Sequence, residues 1–302
     1  MKQTFGKRGF VTIATGHERY YALARNLLRS YRLAADEPVP FAIIADRENE
    51  YTKEFDNVIV IPDASNSYND KLKLFRELPY DETIFIDADS LAYGNLNAWW
   101  DIFKNAGDFA LFGYAWRDLN CGRGWFNPSG MKEFQKDISF IPDFNGGVYY
   151  MRNTEKCEKV FEIANHCARH YHDYSFNNFK DPADEPVLAL GIAVCGFEPL
   201  DLHGELVFAP PMKKLEADIS VPYAVFHQSA DNSYPARLIH FSNYRTQLWF
   251  YRNEVIKMNK LYGGAGLLYT MPNGLRCLLL KVSDIVPFSK RVIRKIKRTL
   301  HI

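Results

Sequence analysis

Short apolar runs of strand length alternate with amphipathic stretches of helical length along the first half of the chain. Apolar runs at residues 10–15, 41–45 and 58–61 are each followed by glycine, proline or an acid. Residues 20–33 lie between the first two runs and repeat their large apolar side chains at helical spacing. Strands that alternate with helices predict an α/β domain with a mixed, mostly parallel, Rossmann-like sheet flanked by helices.

A fourth apolar run, at residues 83–86, ends in a D-x-D motif formed by Asp87 and Asp89. Side chains alternate between the two faces of a strand, so these carboxylates should point the same way from the strand's carboxyl end. Their charges repel each other, and a hard divalent cation such as Mg²⁺ or Mn²⁺ removes that repulsion. We therefore predict a metal site at the carboxyl edge of the sheet, where such folds bind ligands. The alternative is a solvated strand end with two surface aspartates.

The second half of the chain contains further predicted elements and one segment that breaks the pattern. Between residues 114 and 143, aromatic side chains lie among glycine, proline, asparagine and charged residues. A loop of this length in a compact domain is usually functional, so Trp116 and Trp125 are candidate platforms for stacking a sugar ring. They can equally tether the loop to the core. The other predicted elements are strands at residues 110–113, 146–151 and 236–241 and helices at residues 71–78, 154–170 and from Asp184 onward.

Length, composition and charge limit the class of protein. With 302 residues, 47% of them hydrophobic, the chain can form one large domain or two small ones with an ample core. A net charge of +1 argues against general binding of nucleic acid. Five cysteines without C-x-x-C spacing predict reduced thiols rather than disulfides or a zinc site. Neither a secretory signal nor a membrane-spanning run is found, which predicts a cytoplasmic protein, soluble or peripheral to a membrane.

The last part of the chain, residues 263–302, is predicted to be a basic helical tail. From Leu275 onward it carries eight Lys or Arg and a single acid, Asp284. One amphipathic helix should end at Pro287, and Ser289 can cap a second helix whose polar face is basic. The pattern predicts attachment to an anionic membrane surface, unless the first helix packs on the preceding domain and the second is a solvated basic end. The apolar face of the first helix consists of Leu275, Leu278, Leu279, Val282, Ile285 and Val286.

Polar motifs stand at the ends of several predicted strands and helices. In chain order they are Lys71, Asp87-Ala88-Asp89, Phe144-Asn145-Gly146-Gly147-Val148, Asp184-Glu185 and His240-Phe241. With these motifs, residues 9–250 resemble the family 8 glycosyltransferases, which are glycogenin-like retaining enzymes with a GT-A fold. Residues 84–97 are similar to that family's strand, metal motif and following turn, and residues 144–150 to its F-N-(S/A)-G-V strand.

The resemblance implies a GT-A catalytic domain over residues 1–262, with the loop at residues 114–143 on the acceptor side. The implied reaction is transfer of a hexosyl group from a nucleotide sugar, expected to be a UDP-sugar, to an acceptor hydroxyl with retention. It would serve glycan or polysaccharide synthesis, and the acceptor would be a glycan, a lipid-linked molecule or a protein. Asp87, Asp89 and His240 would hold the cofactor, Mn²⁺ or Mg²⁺, which neutralises the diphosphate.

The other motifs also have roles in such a reaction. Lys71 would add a point charge on the diphosphate. Asn145 would bond to sugar hydroxyls, and the glycines that follow it would let the backbone approach the ligand. A plain turn at the entry to the strand explains the glycines equally well and the asparagine less well. Asp184 and Glu185 begin a helix, where the macrodipole alone favours acids. The resemblance makes both of them candidates for stabilising the transition state, with Glu185 replacing the family's glutamine.

The chain departs from the family in three places that concern the nucleotide and its diphosphate, one of which is Ser242-Asn243 where the family has x-Gly. The turn after the first strand, at residues 14–17, replaces the family's Asn-Asp turn near the base. Thr246 stands where the family has a phosphate-binding lysine, and the adjacent Arg245 is a possible substitute. The residues expected to contact the donor are Ala14, Thr15, Lys71, Asp87, Ala88, Asp89, Asn145, Gly146 and Arg245.

Three other functions fit part of the pattern. Phosphatases of the haloacid dehalogenase type also end an apolar strand in D-x-D, but there the motif follows the first strand and here it follows the fourth. A sugar nucleotidyltransferase would need a glycine-rich phosphate loop after the first strand, which residues 16–19 do not provide. The third alternative is a non-catalytic module that binds a sugar nucleotide, which only a test of turnover distinguishes from an enzyme.

Overall fold

The structure, a computed structural model, describes residues 4–177 and 182–284. These residues form fourteen strands and seven α-helices, joined by loops and short 3-10 turns. The strands are β1 Gly6–Ala14, β2 Phe41–Ala45, β3 Asn57–Val60, β4 Tyr80–Ile86, β5 Ser90–Ala92, β6 Phe109–Ala110, β7 Gly113–Trp116, β8 Ile141–Phe144, β9 Val148–Arg152, β10 Leu206–Phe208, β11 Leu215–Asp218, β12 Tyr223–His227, β13 Ser233–Pro235 and β14 Leu238–His240. The helices are α1 Glu18–Ala34, α2 Trp99–Lys104, α3 Glu155–Arg169, α4 Asp184–Cys195, α5 Trp249–Leu261, α6 Leu267–Thr270 and α7 Asn273–Ser283.

Six strands form the central sheet in the order β3-β2-β1-β4-β9-β6. The first four of these run parallel, whereas β9 is antiparallel to β4 and β6 is antiparallel to β9. All five residues of β2 are buried, as expected of a continuous apolar strand covered on both faces. The prediction of a mixed, mostly parallel sheet flanked by helices is confirmed.

Different helices cover the two faces of the central sheet. Along β1, Phe10 belongs to one core cluster and the next residue, Val11, to the other, as the alternation of strand side chains requires. The apolar side of α1 packs in the first cluster, together with Trp99 and Trp100. In the second cluster, α4 packs against α3 and is buried along most of its length. Its burial explains why this helix is apolar on all sides.

A small second sheet brings the end of the domain to the D-x-D motif. Its strand order is β10-β14-β5, with β14 parallel to β10 and antiparallel to β5. Because β5 directly follows the D-x-D motif, this pairing places the carboxyl end of β14 beside the motif. Two further sheets are β11-β12-β13 and the hairpin-like pair β7-β8.

The helix predicted at residues 71–78 is replaced by a 3-10 turn, Tyr68–Lys73, and further turns. The cause is Asp70, whose buried carboxylate accepts hydrogen bonds from the backbone N–H groups of Ser65 and Asn66 at 2.7 and 2.9 Å. These bonds wrap the preceding loop around Asp70. The turn therefore begins earlier than the apolar pattern indicates.

The loop predicted at residues 114–143 is shorter in the structure. Its two ends pair as β7 and β8, with Gly113 opposite Phe144. Residues 117–140 remain as the connection and contain two 3-10 turns.

The predicted tail packs on the domain through α7. The guanidinium of Arg276 is buried and donates to Asn253 Oδ1 on α5 at 2.8 Å. Asp284 Oδ2 accepts the backbone N–H of Trp249, the first residue of α5, at 2.7 Å. The second predicted helix, with the end of the first, lies outside the described residues. Within the described part of the chain, no helix combines the length and the apolar character needed to cross a bilayer.

Candidate active site

Two aspartates and one histidine converge at the carboxyl end of β4. Asp87 follows the last residue of β4, and Asp89 directly precedes β5. His240 is the last residue of β14 and lies opposite Ser90 in the antiparallel pairing with β5. As a result, one oxygen of each aspartate and one ring nitrogen of His240 all lie within 4.8 Å of one another.

The imidazole of His240 is held in one orientation by its neighbours. Its Nδ1 atom lies 2.6 Å from the amide oxygen of Asn145, which can only accept, so Nδ1 carries the proton. Its Nε2 atom faces the carboxylates, 2.8 Å from Asp89 Oδ1 and 3.6 Å from Asp87 Oδ2. Burial disfavours the charged imidazole, but Asp89 outweighs this effect and raises the pKa of His240. Despite burial, the same pairing lowers the pKa of Asp89.

This donor set fits a hard divalent cation. Carboxylates are the ligands that Mg²⁺ and Mn²⁺ prefer, and histidine is a common additional ligand of transition metals. The Nδ1–H···O bond to Asn145 leaves Nε2 of His240 as the metal-facing nitrogen, which is the usual arrangement behind a metal-bound histidine. The structure therefore brings together Asp87, Asp89 and His240, the three predicted metal ligands.

Lys71 lies beside the three metal-site residues and binds two carboxylates. Its ammonium lies 2.9 Å from Asp87 Oδ2 and 3.0 Å from Asp184 Oδ2, and it donates to the carbonyl oxygen of Gly146 at 3.3 Å. Burial opposes its charge, but Asp184 and Asp87 outweigh this effect and raise the pKa of Lys71 well above its ordinary value. Lys71 is thus a fixed cation that joins the D-x-D motif to the first turn of α4.

Asn145 connects His240 with Glu185. Its amide nitrogen donates to Glu185 Oε1 at 3.3 Å, while its amide oxygen contacts the imidazole. The same oxygen of Glu185 accepts the backbone N–H of Gly146 at 2.7 Å. Burial and the neighbouring Asp184 raise the pKa of Glu185. Both polar atoms of Asn145 are therefore engaged with protein groups, and Asn145 orients the two residues beside it.

The two glycines of the F-N-G-G-V motif are required by close packing. A Cβ atom on Gly147 would lie 2.6 Å from Nδ1 of His240. A Cβ atom on Gly146 would lie 2.9 Å from Cγ of Glu185. Only glycine allows His240 and Glu185 to approach this turn so closely. The sequence analysis explained these glycines by the approach of a ligand or by a plain turn, and in the structure the side chains of His240 and Glu185 lie against them.

An open cleft of about 350 Å³ lies next to the predicted metal site. Six of the predicted donor contacts line this cleft, which we call the donor cleft. Two exposed tyrosines, Tyr20 and Tyr68, also line it, and the sequence analysis did not identify them. The signal available for Tyr68 was a single aromatic residue in an otherwise polar loop. The residues lining the donor cleft are Ile13, Ala14, Thr15, Tyr20, Asn66, Ser67, Tyr68, Asp70, Lys71, Asp87, Ala88 and Asp89.

Arg245 is not among the residues that line the donor cleft. Its guanidinium carbon lies 5.2 Å from the ring centroid of Tyr244. The next residue, Thr246, is buried and accepts a hydrogen bond from the guanidinium of Arg19 on α1 at 2.5 Å.

A second cleft, of about 500 Å³, adjoins the site on the side of Asn145 and Glu185. Its walls are rich in aromatic rings, including Tyr114, Phe208 and Tyr234, and contain no Lys or Arg among the described residues. The lining residues are Phe112, Gly113, Tyr114, Trp125, Asp143, Phe144, Asn145, Glu185, Asp201, Leu202, His203, Gly204, Leu206, Phe208, Gln228 and Tyr234.

The two tryptophans of the predicted aromatic loop are bonded to the protein itself. The indole N–H of Trp116 donates to Asp143 Oδ2 at 3.0 Å, and that of Trp125 donates to the carbonyl oxygen of Phe144 at 3.2 Å. Trp125 lines the second cleft, whereas Trp116 is not among its lining residues. These bonds fit the tethering alternative for Trp116, while Trp125 both tethers the loop and lines the cleft.

Comparison with known proteins identifies the fold. No protein-family model and no curated protein matches the chain. A galactosyltransferase, LgtC, solved in complex with donor and acceptor sugar analogues, matches 89% of this chain and 99% of its own, with a TM-score of 0.50 and 14% sequence identity. The apo structure of the bifunctional glycosyltransferase WbbM matches 85% of this chain and 50% of its own, with a TM-score of 0.52 and 13% identity. The chain therefore has the fold of GT-A glycosyltransferases, as predicted.

Proposed function

We propose that the chain is a metal-dependent glycosyltransferase that moves a hexosyl group from a UDP-sugar to an acceptor hydroxyl, in glycan or polysaccharide synthesis. One observation carries this proposal. Asp87, Asp89 and His240 meet at the carboxyl edge of a GT-A sheet, between a donor cleft and a second, aromatic cleft. Ligands bind at this edge in open α/β folds. An enzyme that joins two substrates needs two such adjoining spaces.

The donor side is matched to a nucleoside diphosphate. When bound, Mn²⁺ or Mg²⁺ would neutralise the diphosphate and stabilise it as a leaving group. Lys71 supplies a second, fixed positive charge next to Asp87. Tyr20 and Tyr68 are exposed on the cleft wall, where an aromatic face can stack on a nucleobase.

The acidic residues at the start of α4 are suited to the sugar-transfer step. In that step the bond between the anomeric carbon and the diphosphate oxygen breaks, and its electron pair leaves with the nucleotide. The acceptor oxygen bonds to the anomeric carbon, and its proton passes to the departing diphosphate. Asp184 and Glu185 supply negative charge next to the region where the sugar becomes cationic. Retention at the anomeric carbon is proposed from the family resemblance.

The second cleft supports an uncharged sugar as the acceptor. Tyr114, Phe208 and Tyr234 offer faces on which sugar rings can stack. Asp143 and Asp201 are acceptors for hydroxyl groups, and the lack of Lys or Arg among the lining residues disfavours a phosphorylated or acidic sugar at this position.

A screen of nucleotide sugars with Mn²⁺, measuring released nucleotide and product mass, tests the proposal. Asp89→Asn is expected to reduce turnover by at least about 10²-fold, because it removes one charge from the predicted cation site. Asp173→Asn, which removes an exposed carboxylate elsewhere, should leave turnover unchanged.

Other outcomes would support the alternatives. Release of phosphate from simple monoesters without sugar transfer would identify a phosphatase. Binding of a nucleotide sugar without turnover, across a panel of acceptors, would identify a binding module. Full activity in Asp89→Asn would remove the central role of the D-x-D motif.

A further inference from the structure

A buried tyrosine lies directly behind the acidic start of α4. Tyr149 on β9 has no exposed surface, and its ring stacks on Phe85 of the neighbouring strand with the ring centroids 5.7 Å apart. Its hydroxyl oxygen lies beside the turn at Gly146, where a Cβ atom on the glycine would come within 2.5 Å of it. The same point lies 3.2 Å from Oε1 of Glu185. Tyr149 therefore brings a hydroxyl group to the acidic residues that the proposed reaction uses.

The hydroxyl group of Tyr149 is buried and has no hydrogen-bond partner among the described residues. Nearly all buried polar groups are paired, so an exception of this kind needs a reason. Burial and the charge of Asp184 raise the pKa of Tyr149 well above its ordinary value, although Lys71 opposes this. The hydroxyl group therefore keeps its proton, and it is a neutral donor held among charged groups.

An acceptor without a hydrogen bond lies in the same group of side chains. Asp184 Oδ2 is buried and accepts no hydrogen bond from the described residues, although the ammonium of Lys71 lies 3.0 Å away. The hydrogen bonds of that ammonium go instead to Asp87 Oδ2 and to the carbonyl oxygen of Gly146. The Oδ2 atom of Asp184 is therefore held by the charge of Lys71 alone.

A diphosphate in the donor cleft would compete with Asp184 for Lys71. Lys71 lines this cleft, and two of the three N–H donors of its ammonium are used by protein groups. The third N–H is the donor available to a phosphate oxygen. As the ammonium turns to the phosphate, the buried carboxylate of Asp184 loses part of its counter-charge. That loss is costly unless another donor takes the place of Lys71.

We propose that Tyr149 is a positioning residue, whose hydroxyl group donates a hydrogen bond to Asp184 when a nucleoside diphosphate occupies the donor cleft. The inference rests on the proposed function, which supplies that ligand. The bond joins a buried donor and a buried acceptor that have no hydrogen bond in the structure. No proton is transferred, so Asp184 keeps its negative charge and its place at the start of α4 while Lys71 serves the diphosphate.

Tyr149→Phe tests the proposal, because it removes the hydroxyl oxygen and keeps the packing of the ring. Without ligand, the Tm of the variant should equal that of the wild type, since no hydrogen bond is lost. With saturating Mn²⁺, its Kd for UDP should be about tenfold higher, as expected for the loss of one hydrogen bond to a charged group. Thermal unfolding and calorimetric titration of the full chain measure the two quantities.

Tyr150→Phe is the matched control. Tyr150 is the next residue of β9 and is also buried, but its side chain lies on the other face of the sheet, where it stacks on Phe103 of α2. This variant should bind UDP and Mn²⁺ like the wild type. A second comparison tests the partner of the hydroxyl group. In an Asp184→Asn background, adding Tyr149→Phe should change the Kd for UDP little, because the charge that the hydroxyl group serves is already gone.

Three results would overturn the proposal. The first is an equal Kd for UDP in Tyr149→Phe and the wild type, whether or not the Tm without ligand falls, since the hydroxyl group would then be structural at most. The second is a full loss of UDP affinity from Tyr149→Phe in the Asp184→Asn background, because the hydroxyl group would then have another partner. The third is a wild type that binds no UDP with Mn²⁺, which would overturn the proposed function and this inference with it.

Discussion

Glu185 places a negative charge where its hydrogen bonds require only an oxygen. Its Oε1 atom accepts from the backbone N–H of Gly146 and from the amide nitrogen of Asn145. The side-chain oxygen of a glutamine could accept both bonds equally well. Glu185→Gln therefore removes the charge and keeps the geometry.

We expect Glu185→Gln to lower kcat by about 10²-fold with little change in KM, because the charge acts on the transition state. Burial and Asp184 raise the pKa of Glu185 above 4.5, although Lys71 opposes this and Asp87 adds to it. The carboxylate is lost as the pH falls through that raised pKa, so wild-type activity should fall there. The fall should be weaker in the variant, where Asp87, whose pKa burial also raises, still titrates. Steady-state kinetics from pH 4 to 8 measure both effects (about the range in which carboxyl groups and histidine titrate).

Glu198→Gln, which changes an exposed carboxylate paired with Arg117, serves as the control and should behave like the wild type. Unchanged kcat and an unchanged pH profile in Glu185→Gln would mean that only the hydrogen bonds matter at this position.

Gly147→Ala should weaken metal binding although it replaces none of the three predicted ligands. The added methyl group would lie 2.6 Å from Nδ1 of His240 and 2.8 Å from Oδ1 of Asn145, so the imidazole must move. Disturbing such an orienting contact typically weakens a metal site by about 10- to 100-fold. Calorimetric titration with Mn²⁺ measures the change, and Gly274→Ala, where a methyl group meets open space, is the control. Equal Mn²⁺ affinity in the two variants would contradict the role assigned to this packing.

The sequence predicts some residues of this site from local pattern and does not predict the contacts of others. Asp87 and Asp89 follow from strand alternation, since their shared direction is a property of any strand. His240 lies 151 positions after Asp89 (240 − 89 = 151), and neither the apolar pattern nor the spacing of motifs assigns it to the site. Its role comes from the family resemblance, and its place depends on the pairing of β14 with β5. The contacts of Asn145 with His240 and Glu185 could not be predicted, because they join three separate segments.

At the scale of elements, Asp70 organises the loop that forms one wall of the donor cleft. Its side chain accepts hydrogen bonds from Ser65 and Asn66 backbone N–H groups, from the Thr15 hydroxyl and from the Lys73 ammonium. Burial opposes the charge of this carboxylate, but these bonds outweigh it and lower the pKa of Asp70.

Asp70→Asn is expected to destabilise the fold by about 2–4 kcal/mol, because several charge-assisted hydrogen bonds are lost. The pKa of Asp70 is lower in the folded than in the unfolded chain, so its contribution is complete above the unfolded value of 3.8. That contribution is lost as the pH falls through the folded value. Denaturant unfolding measures the free energy of unfolding of both proteins at pH 7, about three units above the carboxyl pKa, and in acid. The difference between the wild type and Asp70→Asn should be smaller in acid than at pH 7.

Asp63→Asn is the matched control, since Asp63 is an exposed acid of the same loop that pairs with Arg76. It should change stability little, because exposed ion pairs contribute little. Equal stability of the Asp70 and Asp63 variants would show that Asp70 does not organise the loop.

Two elements show why the apolar pattern of the sequence does not by itself determine the structure. The apolar spacing at residues 71–78 suggests a helix, but the bonds to Asp70 favour a 3-10 turn that begins earlier. Helical spacing also predicts α7, yet spacing does not say which face is buried. The hydrogen bonds of Arg276 decide that, and they turn the leucines outward.

At the scale of the whole molecule, the site collects residues from six separate segments at one edge of the sheet. The segments are the turn after β1, the Asp70 turn, the end of β4, the turn between β8 and β9, the start of α4 and the end of β14. A ligand that binds there contacts parts of the chain that are distant in sequence. Binding should therefore stabilise the entire fold rather than one element.

Mn²⁺ and UDP together are expected to raise Tm more than either does alone, because the cation and the diphosphate would share one site. A ligand at 100 times its Kd stabilises a fold by about 2.7 kcal/mol, which corresponds to roughly 5 °C for a chain of this size. His240→Ala should lose this joint effect, and Arg245→Ala should keep it, because Arg245 does not line the donor cleft. Thermal unfolding at fixed ligand concentrations measures both variants. A joint rise retained in His240→Ala would mean that UDP binds without the three metal-site residues, whereas its loss in Arg245→Ala would assign that guanidinium to the diphosphate.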